Sequence, residues 1–256
     1  ASYRPRTQSD NLTRGGPLMG RVSEWGFDVN LRTNFGLPRF GRIRYDMGWD
    51  ETGGSSWGLN GQFRVTTNGR LEYSINPRYN KTIDNRQFVQ IIEGGGPTAT
   101  FGNRYIFSTV ERTTLSMQLR VNYSFTPDLS LEVYAEPFAS SGNFKNQGEL
   151  PRPQSYSLST YEVIRRTADG EDLIVSDGNS EFEVRDPDFV RRSFRSNFVI
   201  RYEFIPGSTL FLVWQQNRNN NLDESFFVSP QDLTTTFTNR GDNLLAVKFT
   251  YWFSAN

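Results

Sequence analysis

Cysteine and histidine are both missing from this sequence of 256 residues. Without cysteine there is no disulfide, no thiolate nucleophile and no sulfur ligand for a metal. Without histidine, Ser-His-Asp and Cys-His catalysis, imidazole proton transfer and the usual zinc and iron ligand sets are excluded as well. Long hydrophobic runs are absent. Nothing approaches the roughly eighteen consecutive apolar residues that mark a membrane helix, hydrophobic residues are 36% of the chain, and mean hydropathy is −0.60. An excess of one charge is absent too, since Lys and Arg number 28 and Asp and Glu number 28. A neutral chain offers no basic surface for nucleic acid. The first residues, Ala1-Ser2-Tyr3-Arg4-Pro5, contain neither an initiator Met nor an apolar leader, and we expect a processed or truncated polypeptide.

Low hydropathy does not exclude a membrane, because a spanning β-strand is apolar on one face only. What the chain does have is aromatics: 21 Phe, 11 Tyr and 5 Trp, a high share for so polar a chain. They fall in segments of strict alternation, the mark of a strand with unlike faces. Trp25–Phe35 places Trp25, Phe27, Val29, Leu31 and Phe35 at odd positions, with Asp28 and Arg32 between them. Arg42–Trp49, Trp57–Val65, Leu71–Tyr79, Leu115–Phe125 and Leu129–Phe138 follow the same parity. In Phe194–Phe204 and Leu210–Trp214 the apolar positions become even, and in Leu245–Phe253 they return to odd. Helical periodicity is not evident anywhere.

Short turns join some of these segments: Gly36–Arg39, Thr67–Arg70 with the hairpin dipeptide Asn68-Gly69, Thr126–Asp128 and Pro206–Ser208. The connections between them are longer. Asp50–Ser56 is intermediate, and we expect long polar loops at about 81–103, 140–192 and 215–242. The second of these holds short β-like pieces at Tyr161–Ile164, Leu173–Val175 and Phe182–Val184. Strands of about ten residues, turns alternating with long loops, and aromatics at the strand ends all match an outer-membrane barrel. Trp25, Trp49, Trp57, Phe194 and Trp214 would mark one interface, and Phe35, Phe125, Phe204, Tyr251 and Phe253 the other.

The expected fold is therefore all-β, an antiparallel up-and-down transmembrane β-barrel of about nine or ten strands. Residues 25–253 would form it, each strand pairing with its predecessor, and residues 1–24 would be an outer connecting segment. The count is odd if the last strand runs inward, whereas single-chain bacterial barrels have even numbers. This leads us to expect part of a larger barrel, with at least one strand before Ala1. A soluble sandwich or binding module is the alternative for any half-buried antiparallel sheet.

Several stretches together carry a resemblance. They are Leu12–Met19, Arg112–Ser116, Tyr134–Gly142 and Asn239–Asn243 leading into Lys248–Phe253. They resemble a bacterial family of uncharacterised outer-membrane proteins, in which a carbohydrate-binding module of the family-nine type precedes a C-terminal barrel domain of unknown function. The resemblance spans essentially the whole chain. It implies an outer-membrane location, a barrel without the module, and no catalytic residues to carry over.

Polar residues between the apolar ones would face the lumen: Asp28, Arg32, Arg42, Arg44, Asp46, Arg64, Glu72, Arg78, Arg120, Glu132, Arg195, Arg201, Glu203 and Lys248. They read either as a selectivity lining or as a ladder of Arg–carboxylate pairs stiffening the interior. Val247, Phe249, Tyr251 and Phe253 resemble the C-terminal signal by which the barrel-assembly machinery recognises its clients. Arg240-Gly241-Asp242 is better explained as a turn than as an adhesion motif, and Asp169, Asp172 and Asp177 as solvated loop carboxylates rather than a calcium site. Glu132 and Glu136 would be about 13 Å apart along a strand, too far for the usual glycosidase pair.

No catalytic, cofactor or metal residue is assigned. The expected partners are outer-membrane lipid, the assembly machinery, and glycans or small solutes. The expected role is a pore, an uptake channel or an anchor for a glycan-binding module. A hydrolase with an acidic site in the outer loops is the alternative.

Overall fold

Every alternating segment pairs with a neighbour that alternates in step, so the like faces add up across one sheet. The computed structural model describes residues 1–222 and 228–253. In chain order its strands are β1 (Ser2–Arg4), β2 (Thr7–Ser9), β3 (Met19–Arg21), β4 (Glu24–Arg32), β5 (Arg39–Asp50), β6 (Ser55–Thr67), β7 (Leu71–Ile92) and β8 (Arg104–Ser124). Then come β9 (Leu129–Glu149), β10 (Ser159–Thr160), β11 (Glu162–Arg166), β12 (Asp172–Ser176), β13 (Glu181–Arg185), β14 (Phe189–Ile205) and β15 (Ser208–Leu222). A short helix α1 (Pro230–Thr235) precedes β16 (Gly241–Thr250).

The main sheet has the order β1-β4-β5-β6-β7-β8-β9-β14-β15-β16, with β10 added beside β9, and every pairing in it is antiparallel. Its nine long strands are those of the alternating segments, in up-and-down order; β10–β13 are an insertion between β9 and β14. Among the described residues β16 pairs only with β15, and the sheet has two ends rather than closing on itself.

Turn chemistry fixes the register at one end. Asn68 and Gly69 both have positive φ, 50° and 65°, as the tight hairpin between β6 and β7 requires. Gly207, at φ 82°, does the same between β14 and β15. These turns and the β4–β5 and β8–β9 turns lie at one end of the sheet, and the longer connections lie at the other.

At the longer end the structure corrects the expected loops at 81–103 and 140–192. β7 and β9 run on through them for 22 and 21 residues, and β8, whose parity continues upstream through Tyr105 and Phe107, has 21. The signal fails there because both faces become covered, which removes the contrast that alternation records. Ile106 and Phe107 are neighbours on opposite faces of β8, and both are fully buried. On one face Tyr105 and Phe107 pack with Met19 and Leu150. On the other, Ile106 packs with Leu173, Val175 and Val184 of the three-stranded sheet β11-β12-β13. The expected pieces at 161–164, 173–175 and 182–184 are that sheet.

Residues 1–24 are likewise more than a connection. Ser2–Arg4 pairs with the start of β4, and β2 and β3 form a hairpin. Arg86 holds this segment by donating to the Gly20 carbonyl at 2.6 Å and the Tyr156 carbonyl at 2.7 Å. In the expected loop at 215–242, β15 continues to Leu222 and α1 follows. The helix is short enough to escape a periodicity reading. Its start is fixed by Pro230 and by a reciprocal cap in which Ser229 and Asp232 bond one another's backbone.

Candidate functional site

The two faces of the main sheet differ in kind. One carries Trp25, Phe27, Val29 and Leu31 on β4, Ile43, Tyr45, Met47 and Trp49 on β5, and Trp57, Leu59 and Phe63 on β6, all exposed. Ile200, Tyr202, Leu212 and Trp214 continue it on β14 and β15, and Leu245, Val247 and Phe249 on β16. The parity is odd, then even, then odd, as the sequence requires. The registers align these side chains in rows. One row is Val65, Tyr73, Val121, Val133, Phe198, Trp214 and Leu245, an unbroken apolar line across seven strands. Leu245 and Val247 are 77% and 71% exposed, and Leu31 is 67% exposed. Over β4–β6 and β14–β16 no described second sheet packs on this face, while on the extension of β8 Met19 of the β2–β3 hairpin covers Tyr105 and Phe107. A contiguous exposed apolar surface of this extent marks a site of association with lipid or protein.

The aromatic residues on that face are staggered. Trp49 on β5 stands opposite Trp25. Traced through six strand steps, Trp214 of β15 shares a row with Arg39, at the other end of β5. Rows lie perpendicular to strands, so tryptophans on a common level require tilted strands. The offset is about ten residues, or ~33 Å of rise, against ~29 Å across the strands. That ratio corresponds to a tilt of roughly 45–50°, close to that of strands in membrane barrels. At the turn end, Phe204 stacks on Phe249 at 5.4 Å between centroids, Phe249 on Tyr251 at 6.3 Å, and Tyr251 on Phe253 at 6.4 Å.

The opposite face holds the charged positions. Asp28 lies across from Asp46, Arg32 from Arg42, and Arg44 from Asn30 and Asn60. Arg64 and Arg120 flank Ser74, Glu72 and Glu132 flank Asn122, and Arg78 pairs with Asn60 and Ser116. Arg195 is across from Glu136, Arg201 from Ser130, Glu203 from Thr209 and Lys248 from Phe211. A general ladder of ion pairs is not what the side chains make. Among the described residues, the ion pairs made by these positions are Arg201–Glu203 at 2.6 Å and Arg44–Asp46 at 4.0 Å. Arg64 instead lies over the Phe35 and Phe40 rings at 4.5 and 5.8 Å, and Arg120 over Tyr134 at 5.0 Å.

Two features of this face escaped a reading weighted to charge. A chain of hydrogen bonds runs from Asn76 to Gln118 (3.2 Å), from Gln118 to the Tyr134 hydroxyl (3.3 Å), and from that hydroxyl to Glu136 (2.5 Å). The uncharged members sit at the same even positions as the charges, which was the available signal. The second feature is apolar: Val199, Val213 and Ala246 form one row on this face, with Phe211 and Leu244 near it. The face is therefore polar over β4–β9 and mixed over β14–β16.

In the loops, Asp177 accepts hydrogen bonds from the backbone of Asn179 and Ser180 and pairs with Arg104 at 2.6 Å. Its carboxyl is held well below the usual range, first by those backbone donors and then by Arg104. Asp172 accepts from the Asp186 backbone N–H at 3.2 Å, and Asp169 accepts from Thr167 and Glu171. Gly241 starts β16 at a close approach, where a Cβ would lie 2.3 Å from the Asn217 carbonyl oxygen. That close approach accounts for Gly241, and Gly241 and Asp242 lie in β16, paired with Arg218 and Asn217, rather than in the expected turn.

Among known proteins, the solved structure of the copper transporter OprC is similar at a TM-score of 0.45 and 13% identity, over 94% of this chain and 36% of that one. No curated protein matches. The family described as a domain of unknown function, DUF5916, matches residues 3–256. The chain belongs to the DUF5916 family.

Proposed function

We propose that this chain is a membrane-spanning wall of an outer-membrane β-barrel and that its polar face lines a path for solutes. The observation that carries the reading is the uncovered apolar face. A soluble sandwich would have to seal Leu31, Leu59, Val247 and their row partners against a second sheet, yet these residues are exposed. In lipid the same face is buried by the solvent itself, and the tryptophans and tyrosines at its margins suit the two interfaces. The long strands, the staggered aromatic band and the alternation of turns with larger connections support the same arrangement.

In this reading the three-stranded sheet β11-β12-β13 and the segment 1–24 form a cap at the outer end, on opposite faces of the β7–β9 extension. The partners are outer-membrane lipid and the assembly machinery, with glycans or small solutes as cargo. The sequence resemblance adds a role as anchor for a family-nine-type glycan-binding module. We assign no reaction to the chain.

The test is reconstitution of the full polypeptide into planar bilayers. Stepwise conductance is expected. Efficient insertion into vesicles without conductance would leave the anchor role and remove the pore.

A further inference from the structure

We infer that Arg42, Arg44 and Arg78 form a binding site for a small solute carrying a doubly charged oxyanion, a phosphate or a dicarboxylate. The inference rests on the reading of the polar face as the wall of a solute path.

These side chains border one cleft of about 420 Å³ on the polar face, together with Asn60, Gln62 and Gln118. Arg44 shares a row with Asn60 and Arg78, so the two guanidinium-bearing positions are two strands apart, about 9.6 Å at the usual strand spacing. Arg42 is two residues from Arg44 on the same face and directly opposite Arg32. Like charges facing one another across a strand pair are destabilising. A chain with equal numbers of acids and bases has no compositional need for this arrangement.

Neutralisation within the chain is slight. Among the described residues no ion pair engages Arg32, Arg42 or Arg78. Arg44 reaches Asp46, which also borders the cleft, only at 4.0 Å. The Arg42 Nε donates to the Asn30 amide oxygen at 3.0 Å, which orients the guanidinium without cancelling its charge. Fork-shaped donors in a recess supplemented by amide N–H groups are the chemistry that recognises phosphate and carboxylate. Rings of Arg are also how pores favour anions. The cleft is on the face turned away from the apolar band, so a lipid headgroup does not reach it.

The experiment uses the full polypeptide in planar bilayers and, separately, folded in detergent micelles. Inorganic phosphate and malonate are the probes, and chloride at equal ionic strength is the control. The chloride current is expected to favour anions and to be reduced by either probe. In detergent, either probe should bind, with affinity lowered about tenfold for each of Arg42→Gln and Arg78→Gln, the effect of losing one charge-assisted contact. Neither substitution should alter heat-modifiable gel mobility, since both side chains are only hydrogen-bonded or free at the surface. Conductance that ignores both probes, or binding that survives both substitutions, overturns the site and leaves the pore. Binding that depends on Arg42 and Arg78 in a protein that does not conduct supports the site and removes the pore. No binding in detergent overturns the site whatever the conductance.

Discussion

The guanidinium of Arg104, on β8, bonds the Asp177 carboxylate at 2.6 Å and lies 4.4 Å from the centre of the Phe182 ring. One side chain thus ties the three-stranded sheet to the main sheet by charge and by packing. Asp177 titrates below the ordinary range, so its contribution to stability is fully present above its unfolded value of about 3.9 and is lost as pH falls through that value toward the folded one. Asp186 acts in the opposite sense, because burial and the neighbouring Asp188 raise its carboxyl. Hydrogen exchange in residues 172–185 should therefore rise on acidification below about pH 4. Asp177→Asn should produce the same rise at neutral pH and remove most of the acid response. An acid response unchanged in Asp177→Asn would transfer it to other groups.

The N-terminal segment has its own acid-sensitive contact. Arg6 holds Glu51 through two bonds of 2.7 and 2.6 Å, and Glu51 also accepts the Ser23 backbone N–H at 2.9 Å. The Arg6 bond, followed by the Ser23 backbone, lowers the Glu51 carboxyl to about 2. The attachment is complete above the ordinary glutamate value and weakens as pH falls toward 2. Arg6→Gln should make the segment more sensitive to limited proteolysis at neutral pH, and acid should add little in that variant.

Neighbouring positions in mid-strand should respond oppositely to charge. Leu119 is on the apolar face and Gln118 is on the polar one, where it bonds Asn76 and Tyr134. Leu119→Arg should cost roughly 2–4 kcal/mol of folding free energy in phospholipid vesicles, as charges near a bilayer midplane do. Gln118→Arg should cost about 1 kcal/mol, the scale of its hydrogen bonds. Denaturant titration of refolding into vesicles measures both. Equal costs would argue against lipid on the Leu119 side.

Phe253 ends the stack that runs through Tyr251 and Phe249 to Phe204. At 75% exposure it holds little of the fold together. Phe253→Ala should lower outer-membrane yield in cells while leaving refolding in vitro nearly unchanged, because assembly engages an exposed strand edge. A normal yield would end the signal assignment.

The band was legible in the sequence because each of its strands has unlike faces. Trp25 to Leu31 and Leu115 to Tyr123 write that contrast every second residue. Above the band the contrast weakens, since Ile106 and Phe107 are both buried, and the extensions of β7 and β9 read as loops, although the parity of β8 carries on through Tyr105 and Phe107. The β1–β4 pairing was hidden for another reason: three residues, Ser2–Arg4, are too few to establish a period. Of the candidate site, the charged positions were visible from parity alone. Their pairing was not, because whether Arg42 meets a carboxylate or Asn30 depends on the register between β4 and β5, which turn geometry sets. The apolar row of Val199, Val213 and Ala246 was masked by runs in β14 and β15 that are apolar on both faces.

The central claim is that the apolar face meets lipid and the opposite face meets water. The absence of native cysteine makes it directly measurable, since single cysteines can carry spin labels at each position from 117 to 123 with no background. Reconstituted in bilayers, labels at 117, 119, 121 and 123 should be accessible to oxygen and shielded from a water-soluble nickel chelate. Labels at 118, 120 and 122 should show the reverse. Odd positions shielded from both reagents would place that face in a protein core and contradict the account.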